Sequence, residues 1–221
     1  MIKAVVFDLD NTLYDYDECD KKAHEALKNY AVKRYNISEE QFEVDYSIAK
    51  GIVKERLGNT GAAHNRMLYM QVFLETIGCK PLDGALDLYS IYWDTMLKNM
   101  KLFDYVISTM DSLKEKGIKI GILTDLTANI QHRKLCKLNL EGYVDALVTS
   151  EEAGEEKPAV APFECIIKKL ECAADEVLMI GDSQKKDIEG AKHVGMRHIL
   201  FKKEYAENMQ KMIIDEVMRI V

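Results

Sequence analysis

Residues 2–12 read Ile-Lys-Ala-Val-Val-Phe-Asp-Leu-Asp-Asn-Thr. Ile2 to Phe7 is short, apolar and partly β-branched, the composition of a strand covered on both faces in a parallel sheet. It runs straight into an Asp-rich turn. Period-two spacing puts Asp8 and Asp10 on one side if the chain stays extended. In open α/β sheets ligands bind beyond the carboxyl ends of the strands, so this pair of carboxylates stands where a ligand would bind. Alone the motif is weak, because Asp and Asn are also ordinary turn and helix-cap residues, and that reading stays open at this point.

Similar apolar runs recur at Ile118 to Thr124, Ala146 to Thr149, Val177 to Ile180 and His198 to Phe201, separated by segments with helical spacing. Strands alternating with helices imply an α/β fold built on a doubly wound parallel sheet, Rossmann-like in outline. About Tyr14 to Met100 contains no convincing strand and reads as four amphipathic helices, Asp17 to Tyr35, Ser38 to Leu57, Ala62 to Ile77 and Gly84 to Met100. Ser38 with Gln41 resembles a capping box. The sequence thus predicts a Rossmann-like core of residues 1–13 and 101–221 with an all-helical subdomain, 14–100, inserted after the first strand.

Two further strand ends and one loop carry polar residues. The second strand ends at Thr124-Asp125, a hydroxyl and backbone N–H groups that equally suit a helix cap. Lys157-Pro158 follows the acidic stretch Glu151-Glu152-Ala153-Gly154-Glu155-Glu156, and reads either as a solvated loop cation or as a lysine reaching inward to an anion. Val177 to Ile180 leads directly into Gly181-Asp182-Ser183, with Asp187 four residues on. Asp187 could merely complement a helix dipole, but Asp182 after a turn-forming glycine is harder to read as structural.

Together, Asp8-Leu9-Asp10-Asn11-Thr12, Thr124, Lys157-Pro158 and Gly181-Asp182-Ser183 with Asp187 resemble the four-motif signature of the haloacid dehalogenase superfamily, in order and each after the appropriate strand. The match spans nearly the whole chain, and the insertion resembles the family's helical cap. The resemblance implies a magnesium-dependent phosphomonoester hydrolase. Asp8 would be the nucleophile that forms an aspartyl-phosphate, and Asp10 the general acid and then base. Thr124 and Lys157 would hold the phosphate. Asp8, Asp182, Asp187 and the Asp10 carbonyl would hold Mg2+. A halide leaves without a proton whereas an ester oxygen needs one, so Asp10 favours phosphate esters over haloacids.

The chain departs from the family pattern at Asn11, where many relatives have Gly, and at Asp125, where many have Asn. Asn tolerates turn conformations. Asp125 adds a negative charge that must either point away from the phosphate or meet another polar group. Sugar phosphates, phosphoglycolate and nucleoside monophosphates are the substrates considered, with a lean toward the nucleotidase and acylneuraminate-phosphatase branches. A phosphomutase, which returns the phosphoryl group to a sugar, and a non-catalytic binding protein on the same fold are the alternatives. No cap lysine among Lys22, Lys33 and Lys54 is assignable as a Schiff base. His64-Asn65-Arg66, after the turn Gly58 to Gly61, are candidates for contact with the non-phosphate part of a substrate, against a plain solvated helix start.

Composition narrows the classes. A chain of 221 residues, 48% hydrophobic, can bury a substantial core, and its net charge of −7 opposes nucleic acid as a partner. Its five cysteines form no C-x-x-C pair and read as reduced thiols. No apolar run approaches the ~20 residues of a membrane span, and no secretory leader is visible, so a cytoplasmic enzyme acting on a small molecule is expected.

Overall fold

The computed structural model describes residues 1–219. Five parallel strands, β1 (Ala4–Phe7), β2 (Lys119–Thr124), β3 (Ala146–Thr149), β4 (Val177–Gly181) and β5 (Arg197–Leu200), form one sheet in the order β3-β2-β1-β4-β5. The chain lays β2 and β3 on one side of β1, then crosses to lay β4 and β5 on the other. That reversal opens a crevice between the carboxyl ends of β1 and β4, the topological switch point where open α/β sheets bind ligands. Phe7 is in register with Ile180, so Asp8 and Gly181 emerge at the same level.

Every residue of β1 and β4 is buried, as the apolar runs required of strands covered on both faces. Ala4, Val6, Val177 and Met179 share a core with Phe163, Ile166 and Leu170 of α8 (Val160–Leu170). Val5 and Phe7, half a period out of phase, are buried on the opposite face. The first strand begins two residues later than the apolar run, and the last is Arg197–Leu200 rather than His198 to Phe201.

The chain divides into two compact units, Met1–Asp15 with Lys101–Val221, and Tyr16–Met100. The second unit consists of α1 (Tyr16–Tyr35), α2 (Glu39–Leu57), α3 (Arg66–Thr76) and α4 (Ala85–Asn99). Phe42, Tyr46, Phe73, Tyr92 and Trp93 are buried in it, and the Phe42 ring meets those of Tyr46 and Phe73. Three of the four helices lie within a residue or so of the spans read from periodicity. The third starts later, because Gly61–His64 forms a separate 3-10 turn. Only half of the capping box forms: Ser38 Oγ accepts from the Gln41 N–H, while the Gln41 side chain turns to Asp45. No helix among the described residues is long and apolar enough to cross a membrane.

Candidate active site

Asp8 extends the sheet by one bond beyond β1, its N–H donating to Ile180 O at 2.8 Å. This fixes its side chain at the mouth of the crevice. The chain then turns sharply at Asn11, whose φ of 60° lies in the left-handed region. Asn is among the few side-chain-bearing residues that accept that conformation, which explains how it stands where glycine is usual. The turn brings the Thr12 hydroxyl to 3.3 Å from Asp8 Oδ2.

Lys157 is no solvated loop cation. Its side chain is 2% exposed, and its ammonium donates to Asp8 Oδ1 at 2.6 Å, Asp187 Oδ1 at 2.5 Å and Leu123 O at 3.1 Å. Burial works against its charge, but Asp187, Asp8 and Asp125 outweigh that and hold its pKa above the ordinary lysine value. For Asp8 burial wins: loss of water pushes its carboxyl well above the usual range against the pull of Lys157, with Asp187 and Asp10 adding to the push.

Gly181 is required by its neighbour, since a Cβ there would collide with the Asp187 carboxyl. Asp187 sits in the turn Gln184–Glu189, and its Oδ2 accepts from the Ser183 N–H at 3.0 Å. Asp182, between them, is exposed. Partial withdrawal from water and the Asp187 charge still push its carboxyl up to about 6.

Asp10 brings in two residues that the sequence reading passed over. Tyr14 Oη donates to its Oδ1 at 2.6 Å, and the Lys134 ammonium donates to both of its oxygens at 2.8 Å. Lys134 lies on α6 (Ala128–Lys137), and its side chain is 0% exposed. Beside Arg133 and Lys137 it resembles the basic end of a solvated helix. The signal that marks it is positional: Ile130, Gln131, Lys134 and Leu135 form the buried stripe of α6, so Lys134 is a lysine at a core position.

Thr124 is buried at the end of β2, its hydroxyl accepting from Gln131 Nε2 at 2.6 Å. Asp125 neutralises itself against other groups: it accepts from the Lys157 N–H at 3.1 Å and from the Lys186 ammonium at 2.7 Å. Asp125 therefore ties the β2 loop to the Lys157 backbone by a hydrogen bond and to the turn Gln184–Glu189 by a charge pair.

His64, Asn65 and Arg66 belong to the helical unit. Asn65 caps α3 by accepting from the Met67 N–H at 2.9 Å. The Arg66 side chain is 11% exposed, donates to Tyr16 Oη at 2.7 Å and His64 O at 3.0 Å, and lies 5.2 Å and 5.3 Å from the ring centroids of Tyr69 and Tyr92. A solvated helix start does not describe it.

Asp8, Asp182 and Asp187 each offer a carboxylate oxygen, and these oxygens lie within 4.8 Å of one another. With Asp10, these carboxylates outnumber the ammoniums of Lys157 and Lys134. Like charges about 4 Å apart repel by about 4 kcal/mol even at an effective dielectric constant of about 20. An oxygen-only donor set with surplus negative charge fits a hard divalent cation such as magnesium.

The description "Haloacid dehalogenase-like hydrolase" belongs to the family model that matches residues 5–201. A ribulose-1,5-bisphosphate 5-phosphatase of Halopiger xanaduensis is 40% identical over 91% of this chain and 85% of its own. A glyceraldehyde 3-phosphate phosphatase of Methanothermobacter thermautotrophicus is 32% identical over 94% of this chain and 88% of its own. Among solved structures, a 2-haloacid dehalogenase from Pseudomonas syringae superposes with a TM-score of 0.71 at 25% identity, over 91% of this chain and 86% of that one. With a family model spanning both halves of the sheet, and relatives aligned along almost their whole length, the chain belongs to the haloacid dehalogenase-like hydrolases.

Proposed function

We propose that this chain hydrolyses a small sugar phosphate, in a magnesium-dependent reaction that passes through a phosphoryl group on Asp8. One observation carries the reading: a buried ammonium, Lys157, bridges the carboxylate that follows β1 and one from the turn after β4, at the switch point of the sheet. The names of the relatives, a ribulose-1,5-bisphosphate 5-phosphatase and a glyceraldehyde 3-phosphate phosphatase, support a short sugar phosphate over a nucleotide. The cytoplasm is the compartment proposed.

Asp8 attacks phosphorus in line, and the bond to the sugar oxygen breaks as Asp10 gives that oxygen a proton. Asp10 then takes a proton from the water that displaces Asp8. Lys157, and Thr124 through its hydroxyl, hold the phosphoryl oxygens. All three N–H groups of the Lys157 ammonium are engaged within the chain, so a phosphate oxygen must replace one of these acceptors. Asp8, Asp182 and Asp187 would hold magnesium, which when bound offsets their charge and that of the dianion.

The reading is tested by phosphate release from glyceraldehyde 3-phosphate, ribulose 1,5-bisphosphate, phosphoglycolate and a nucleoside monophosphate, with magnesium and after EDTA. Turnover is expected with a sugar phosphate, lost in EDTA and restored by magnesium. Turnover undiminished by EDTA, or confined to the nucleotide, would overturn it.

A further inference from the structure

Asp10 accepts three hydrogen bonds, unevenly shared. Among the described residues, Oδ1 takes the Tyr14 hydroxyl and the Lys134 ammonium, whereas Oδ2 takes Lys134 alone. The ammonium also stands 5.9 Å from the centroid of the Tyr14 ring. Tyr14 is itself fully buried. Burying an ammonium is costly, and an apolar side chain of similar volume would fill the same space without that cost. Packing of α6 therefore gives no reason for a charge at this position.

We propose that Lys134, with Tyr14, is a positioning residue that aims Asp10 for proton transfer. Donors from two sides saturate Oδ1, which leaves Oδ2 as the oxygen able to carry the travelling proton. The bidentate contact also restricts rotation of the carboxyl group. The proposal rests on the reading of Asp10 as the general acid and base. In the first step the Asp8–phosphorus bond forms, the phosphorus–sugar oxygen bond breaks, and the Asp10 proton goes to the departing oxygen. In the second, water oxygen bonds to phosphorus, Asp8 leaves, and a water proton goes to Asp10. Lys134 keeps its proton throughout and acts through Asp10.

The leaving group separates this role from a structural one. An alkoxide needs the proton, whereas p-nitrophenolate is stable enough to depart without it, and kcat/KM reports only the steps up to the first phosphoryl transfer. In Lys134→Met, kcat/KM for glyceraldehyde 3-phosphate is expected to fall about 100-fold, the lower end of what a placed acid contributes. The loss on p-nitrophenyl phosphate should be smaller by about tenfold or more. Tyr14→Phe keeps the ring and should shift the ratio in the same direction by less; it decides alone if Lys134→Met does not fold. Equal losses on the two substrates, or no loss on either, would overturn the proposal. Failure of the underlying reading shows separately, in Asp10→Asn: if Asp10 is not the acid, that variant keeps the parent's ratio between the two substrates.

Discussion

Asp8→Asn is expected to abolish phosphate release while leaving a folded protein. The amide is nearly isosteric but cannot attack phosphorus, so kcat should fall by about four to six orders of magnitude, the scale seen when a nucleophile is removed. Stability should change little, because two effects oppose. The variant loses the charge partner of Lys157 at 2.6 Å, but it also relieves a carboxylate whose burial pushes its pKa upward. The melting temperature is expected to stay within about 2–4 °C of the parent, which corresponds to about 1 kcal/mol for a chain of this size. Steady-state assays with circular dichroism melts check both parts; substantial residual turnover would remove Asp8 from the chemistry.

Lys157→Met should damage stability and activity together. Removing one partner of a buried ion pair strands the other, at a cost of about 3–5 kcal/mol. Here both Asp8 and Asp187 would be stranded, with side chains 8% and 1% exposed. Activity should fall at least about 10²–10³-fold, the usual loss for a donor aimed at developing negative charge. A divalent cation answers the same two carboxylates, so magnesium should raise the melting temperature of the variant more than that of the parent. Thermal melts of variant and parent with and without magnesium measure this. A variant as stable as the parent in EDTA would show that Lys157 does not hold the cluster together.

Residues that end strands were legible in the sequence because their neighbours announce them. Asp8 and Asp182 each follow an uninterrupted apolar run, and Gly181 marks the sharp exit that its contact with Asp187 explains. The sheet was legible for the same reason: strands buried on both faces leave little periodicity to misread. Lys157 was legible only through its family context, since its own acidic flank reads as a solvated loop. Lys134 and Arg66 were not read as buried. Each is a cation within a helix, and what buries it is a partner distant in sequence, Asp10 for Lys134 and Tyr16 for Arg66. Local periodicity places Lys134 on an apolar face but cannot say that a carboxylate waits there. Asp125 shows the same limit, because its relief by Lys186 is formed across separate loops.

The account stands on two successive displacements at phosphorus. Each inverts configuration, so hydrolysis, in isotopically labelled water, of a phosphorothioate ester made chiral at phosphorus by oxygen isotopes should release thiophosphate with net retention. Net inversion would mean that water attacks the substrate directly, and would contradict a covalent role for Asp8.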